Sequence, residues 1–161
     1  MLDNCKSARE LWGGVSEIID RWLLDRQSLL VEYCDLGALS GIEPDSPERP
    51  ARLRRLCQLL VDYVSAGHFE IYDKLVREGQ EFDNQEALQE AANLFAVIDK
   101  TTGVALDFND KYLETDDLGT LDADLSRLGE TLETRFRAED RMIAVLHTAH
   151  HDLIKAHTPE A

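Results

Sequence analysis

The chain has 161 residues, enough for one domain that buries roughly 70% of the surface its unfolded form would expose. Its residues are 43% apolar and 30% charged, which excludes disorder, and 17 basic against 32 acidic residues leave a net charge of −15 that repels DNA, RNA and anionic lipid. No run of about 18 apolar residues occurs, so no transmembrane helix is expected, and the start MLDNCKSARE lacks the basic-then-apolar order of a signal peptide.

In chain order, a short helical piece near Ser7 to Trp12 comes first, set off by Gly13-Gly14. A long helix follows from about Gly14 to Leu36, its apolar stripe running through Val15, Ile19, Trp22, Leu29 or Leu30, and Tyr33. The stretch GALSGIEPDSPERP holds three prolines and two glycines and is expected to be a loop. A second helix is expected from Pro50, which suits a first-turn position, to Glu78, with Leu53, Leu56, Leu60, Val64, Gly67, Ile71 and Leu75 on one stripe. Gly67 in its middle costs about 1 kcal/mol against alanine, so close packing or a bend is expected there. A third helix begins near Asn84, an N-cap residue with Glu86 in the first turn, and carries Leu88, Ala91, Phe95, Ile98, Ala105 and Tyr112. After the acidic linker ETDDLGT, a fourth helix runs from about Leu121 to at least Leu146 through Leu125, Leu128, Leu132 and Ile143. Period-two alternation is absent, so no sheet is expected. The elements pack most simply as one all-α domain over residues 1–161, an antiparallel up-down four-helix bundle with a short extra N-terminal helix.

Polar residues that fall on these stripes carry the information. Arg26 shares the angle of Trp22 and Tyr33, Arg135 and Glu139 lie in line with Leu128, Leu132 and Leu146, and Thr102 and Asn109 sit on the third stripe. A charge inside a bundle is expensive unless paired, so a buried polar layer is expected in which Glu139 pairs with Arg26 or Arg135. On the second helix, at about 100° per residue, Gln58, Asp62, Ser65, Phe69, Tyr72 and Val76 form a second stripe opposite the leucines. Two aromatics on a face that should be solvated mean either that the chain covers it, with Leu11 and Trp12 as one cover, or that it binds a partner.

Catalytic and metal signatures are weak. There is no glycine-rich phosphate loop, no G-x-S-x-G and no H-E-x-x-H. His147 and His151 have ligand spacing, with His150 between them, but no carboxylate or cysteine completes a site; near a helix C-terminus they suit the dipole and solvent. His68 lies beside the leucine stripe and fits a boundary hydrogen-bonding role. Cys5, Cys34 and Cys57 are odd in number and without C-x-x-C, which points to free thiols in a reducing cytoplasm. No cofactor or metal is expected, and the chain is not expected to be an enzyme. Between Leu106 and Asp124, seven acidic residues face Lys111 alone, a negative field suited to a basic partner or simply a solvated loop.

Three segments, IIDRWLLDRQSLLVEY (Ile18 to Tyr33), LVDYVSAGHFEIYDKL (Leu60 to Leu75) and LGETLETRFRAEDRMIAVL (Leu128 to Leu146), closely resemble the Rsd/AlgQ family of anti-sigma regulators. The resemblance spans essentially the whole chain, and WGGV near the start is similar to the pseudomonad AlgQ branch. It implies a helical bundle that binds the C-terminal region of the primary sigma factor of RNA polymerase. That region is a helix-turn-helix module which reads the −35 element and touches core polymerase, so its capture would block both contacts and favour alternative sigma factors. Basic DNA-reading surfaces suit an acidic partner. The resemblance also implicates Asp62 in sigma binding, which makes Asp62, Ser65, Phe69 and Tyr72, with Trp22 added, the expected contact residues, while leaving room for further regulatory protein partners. A second, weaker likeness is to hemerythrin-type bundles, but Arg135 stands where a histidine is needed and Tyr72 occupies the fourth place after His68. A bundle holding a metal or small ligand at the Arg26, Arg135 and Glu139 layer is the alternative reading.

Overall fold

The structure, a computed structural model, describes residues 17–67, 71–81, 85–115 and 117–157. Five helical elements follow one another, α1 (Glu17–Ile42), α2 (Arg49–Ala66), α3 (Tyr72–Glu81), α4 (Gln85–Tyr112) and α5 (Leu121–His157), and no strand occurs among the described residues. The expected short N-terminal helix, His68 and Phe69 lie outside the described residues, as do the side chains of His147, His150 and His151.

α1 runs to Ile42 rather than stopping at Leu36. Gly37 and Gly41 each cost about 1 kcal/mol, which is too little to end a helix whose next turn still packs its inner face. Leu39 is half-buried there and Ser40 is buried. Pro44 then ends it, and the turn is held by Arg49, whose guanidinium donates to Ser40 Oγ at 2.9 Å, to the Pro44 carbonyl at 2.9 Å and to Asp122 at 3.2 Å. One buried arginine thus ties the end of α1, the turn and the start of α5 together.

The expected second helix is interrupted. α2 ends at Ala66, the path widens to π-helical geometry at Gly67 and at Ile71, and α3 begins at Tyr72. A wide turn takes up extra residues and rotates everything after it about the axis, so a constant step of about 100° no longer predicts which way side chains face.

Cross-helix pairs give the helix directions. Arg26 meets Tyr63 while Ser40 meets Arg49, so α1 and α2 are antiparallel. Thr102 meets Arg135 while Lys111 meets Asp124, so α4 and α5 are antiparallel as well. Arg26 with Asp140 and Tyr33 with Leu125 set α1 against α5 in the same sense. α1 packs on α2, α2 on α4, α4 on α5 and α5 on α1, which closes a four-membered up-down ring, and α3 lies against α5 and α4. Leucines at helical spacing fill it, among them Leu30, Leu36, Leu56, Leu60, Leu128 and Leu132. At Gly129 the ring of Tyr33 crosses α5 so closely that a β-carbon would strike its hydroxyl and Cζ, and the hydroxyl donates to the Leu125 carbonyl at 2.7 Å.

Candidate functional site

A charged layer inside the bundle breaks the plain amphipathic pattern, and the outer face of α2 is the second place to which the sequence points.

In the layer, Arg26, Arg135 and Glu139 are all fully enclosed. Glu139 accepts a hydrogen bond from the Tyr63 hydroxyl at 2.6 Å and stands 3.6 Å from Arg26 and 2.9 Å from Arg135 Nε. The last pair is close but poorly aligned, so it is an ion pair rather than a hydrogen bond. Arg26 also donates to Tyr63 at 3.0 Å and to Asp140 at 2.7 Å, and its guanidinium lies over the rings of Trp22 and Phe136, at 5.2 and 4.7 Å from their centroids. Such ring faces stabilise a desolvated cation. Arg135 reaches α4 and α3, donating to Thr102 at 2.8 Å, Thr101 at 3.1 Å and Tyr72 at 3.0 Å. Burial raises the Glu139 carboxyl above its ordinary value, and Arg135, Arg26 and the Tyr63 phenol oppose that rise. For both arginines burial works toward a lower pKa, and the neighbouring acids and phenols overcome it and leave the charged form favoured.

Tyr63, Thr101 and Asp140 belong to this layer and were not singled out by sequence reasoning. A phenol beside Leu60 and Val64 reads as ordinary core, and Asp140 beside Glu139 reads as a solvated neighbour. A tyrosine on the stripe of a helix facing two stripe arginines was the available signal. No group of three or more potential metal ligands forms among the described residues. A cavity of about 190 Å³ does open between α4 and α5, but it is lined by Val104, Asp107, Phe108, Lys111, Asp124, Arg127 and Leu128, none of them in the layer.

On α2 the outer face carries Gln58 and Asp62, both exposed, and Ser65, half-exposed. Asp62 accepts from Gln58 at 3.0 Å and makes no ion pair among the described residues. Trp22 and Tyr72 do not join them. Trp22 is 2% exposed and Tyr72 3%, so neither ring is open to a docking partner. Trp22 stacks on Tyr63 with centroids 5.2 Å apart and meets Tyr72 edge-on at 6.2 Å, while Tyr72 also meets Phe95 edge-on at 5.5 Å. The wide turn at Gly67 and Ile71 is the reason, because it swings Tyr72 inward from the face that a continuous helix would give it. Gly67 makes room for this: a β-carbon there would sit 3.1 Å from the Tyr72 hydroxyl and 3.4 Å from Trp22 Nε1.

The acidic run at the α4–α5 connection divides into two kinds. Asp122 pairs with Arg49, and Asp124 is held below its usual value chiefly by Lys111 at 2.7 Å, then by Tyr112. Asp107, Asp110, Glu114 and Asp117 face solvent.

A bundle whose inner charges answer one another, and whose exposed faces carry charges that make no ion pair among the described residues, Asp62 on α2 among them, defines a helical scaffold that presents a surface. The chain belongs to the Rsd/AlgQ family, described as regulators of the RNA polymerase sigma(70) subunit, whose model matches residues 1–147. It is similar to the Regulator of sigma D of Salmonella arizonae and to that of Salmonella newport, each 35% identical over 164 residues that span 99% of both chains. The three segments that carried the resemblance therefore point to the right family of transcription regulators. No helix among the described residues is long and apolar enough to cross a membrane.

Proposed function

We propose that this chain is an anti-sigma factor, a binding protein rather than an enzyme, which captures the primary sigma subunit of RNA polymerase through that subunit's C-terminal, −35-reading region. Asp62 carries the reading: it is an exposed carboxylate on the outer face of α2 that makes no ion pair among the described residues, in a chain of net charge −15 that belongs to a family of sigma regulators. A DNA-reading module is basic where it meets phosphate, and a negative helical face competes for that same surface. Capture then withholds sigma from promoter and core enzyme and favours alternative sigma factors, and the work is done in the cytoplasm, where polymerase is. Gln58 and Ser65 flank Asp62 and complete the contact, while Trp22 and Tyr72 act from behind it by holding α2 on the bundle.

The test is calorimetric titration of the full chain with the isolated C-terminal region of the primary sigma factor. Binding is expected at low ionic strength, and Asp62→Lys is expected to weaken it by more than about 1 kcal/mol with unchanged helicity. Wild-type protein that fails to bind would remove the proposal. Unchanged affinity in Asp62→Lys would remove Asp62 from the contact.

A further inference from the structure

The outer face of α2 carries a second charge that makes no ion pair among the described residues. Arg54, Gln58 and Asp62 are successive members of one i,i+4 row, the kind of ridge that a packing helix meets as a unit. Arg52 and Arg55, to either side, are drawn toward α1, where Glu32 lies 3.8 Å from the first and 3.3 Å from the second. Arg54 is exposed and forms no ion pair among the described residues. The ridge therefore begins in a cation and ends in an anion that form no ion pair among the described residues, with an amide between them that donates to the anion at 3.0 Å. Eight residues at a helical rise place the two charges about 12 Å apart along the axis.

We infer that Arg54 is a second, specificity-determining anchor for the sigma domain: it takes an acidic side chain of that domain while Asp62 takes a basic one. This rests on the sigma-binding reading above and adds a direction to it. A single carboxylate attracts a basic surface in any orientation, whereas a cation and an anion two turns apart admit only a surface whose charges match in order and spacing. Reversed docking sets like against like at both ends, which is how charge pattern excludes wrong partners and wrong registers. The occupant is thus a face carrying one cation and one anion at the same separation, such as one side of a helix-turn-helix.

Charge makes the test sharp, because contact and long-range attraction predict opposite signs. Arg54→Glu makes an acidic protein more acidic, so attraction alone would tighten its grip on a basic domain. A lost anchor loosens it. Titrating the full chain with the isolated C-terminal region of the primary sigma factor, Arg54→Glu is expected to raise Kd about ten-fold or more, and Arg54→Ala by a smaller factor. Lys100→Glu adds the same charge at an exposed site on α4 and is expected to leave Kd unchanged or lower it. Circular dichroism checks that each variant is folded. Binding that Asp62→Lys weakens and Arg54→Glu leaves unchanged or tightens overturns this inference and leaves the sigma reading standing. Equal weakening by Arg54→Glu and Lys100→Glu also overturns it, since site would then not matter. Wild-type protein that fails to bind overturns both.

Discussion

Replacing Arg135 by methionine keeps most of the side chain's length and removes its charge from the middle of the bundle. The guanidinium bridges three helices, standing 2.9 Å from the Glu139 carboxylate on α5 and donating to Thr102 on α4 at 2.8 Å and to Tyr72 on α3 at 3.0 Å. Arg26 remains near Glu139, but at 3.6 Å and already engaged with Asp140 at 2.7 Å, so it replaces little of what is lost. Breaking one side of a buried pair costs about 3–5 kcal/mol, a large share of the 5–15 kcal/mol that holds a typical domain together. Urea unfolding followed by circular dichroism should show a lower midpoint with an unchanged slope. The loss should depend on pH in a definite sense. Glu139 already lies above its ordinary value through burial, with Arg135 the strongest opposing influence, so the variant holds that proton more tightly still. A folded-state pKa raised above the unfolded value near 4.3 contributes stability that is present below that value and lost as pH rises through the folded one. The gap between wild type and Arg135→Met should therefore be widest near neutrality and narrow toward about pH 4. Adding Glu139→Gln to the variant should restore much of the loss near neutrality, since no buried carboxylate is left without its cation. A neutral-pH loss below about 1 kcal/mol, or a gap independent of pH, would refute this account of the layer.

Gly129→Ala should destabilise by about 1–3 kcal/mol, because the new methyl meets the Tyr33 ring, and Tyr33→Phe should relieve part of that cost in the double variant; additive losses in urea would show that the two do not touch. Arg49→Ala should cost about 1–3 kcal/mol through its bonds to Ser40 and the Pro44 carbonyl, while Asp122→Asn, which alters only the exposed carboxylate that meets the same arginine, should cost about 0.5 kcal/mol or less. Equal losses from the two would contradict that division. Association with the sigma domain, followed by stopped flow, should slow as salt rises from about 50 to 300 mM, and a rate indifferent to salt would exclude steering by the acidic surface.

Sequence made the bundle legible because its helices keep leucine at a steady period, and it flagged Arg26, Arg135 and Glu139 because charges interrupt that period. Their partners were harder to see. Thr102 lies on its stripe, but Tyr63 looks apolar until its hydroxyl is placed against Glu139, and Thr101 stands one position off that stripe. The extension of α1 to Ile42 was hidden by glycines that usually signal an end. A uniform angular step puts Tyr72 on the outer stripe because it cannot register the wide turn at Gly67 and Ile71, and the ring lies in the core instead. Arg54 is silent in the sequence for the opposite reason: an exposed arginine on an outer face violates nothing, and only the pairing of Arg52 and Arg55 with Glu32 sets it apart.

Leucine seams are forgiving, and four helices held by them alone could slide past one another by a heptad, or wind in the opposite hand, with little change in buried area. The arginines remove that freedom. Only one alignment puts Tyr63 between Arg26 and Glu139 while Thr102 and Tyr72 both face Arg135. Any slippage leaves an ion stranded in oil, so the polar core acts as a combination that admits a single arrangement of this chain, and with it a single shape for the face that α2 turns outward.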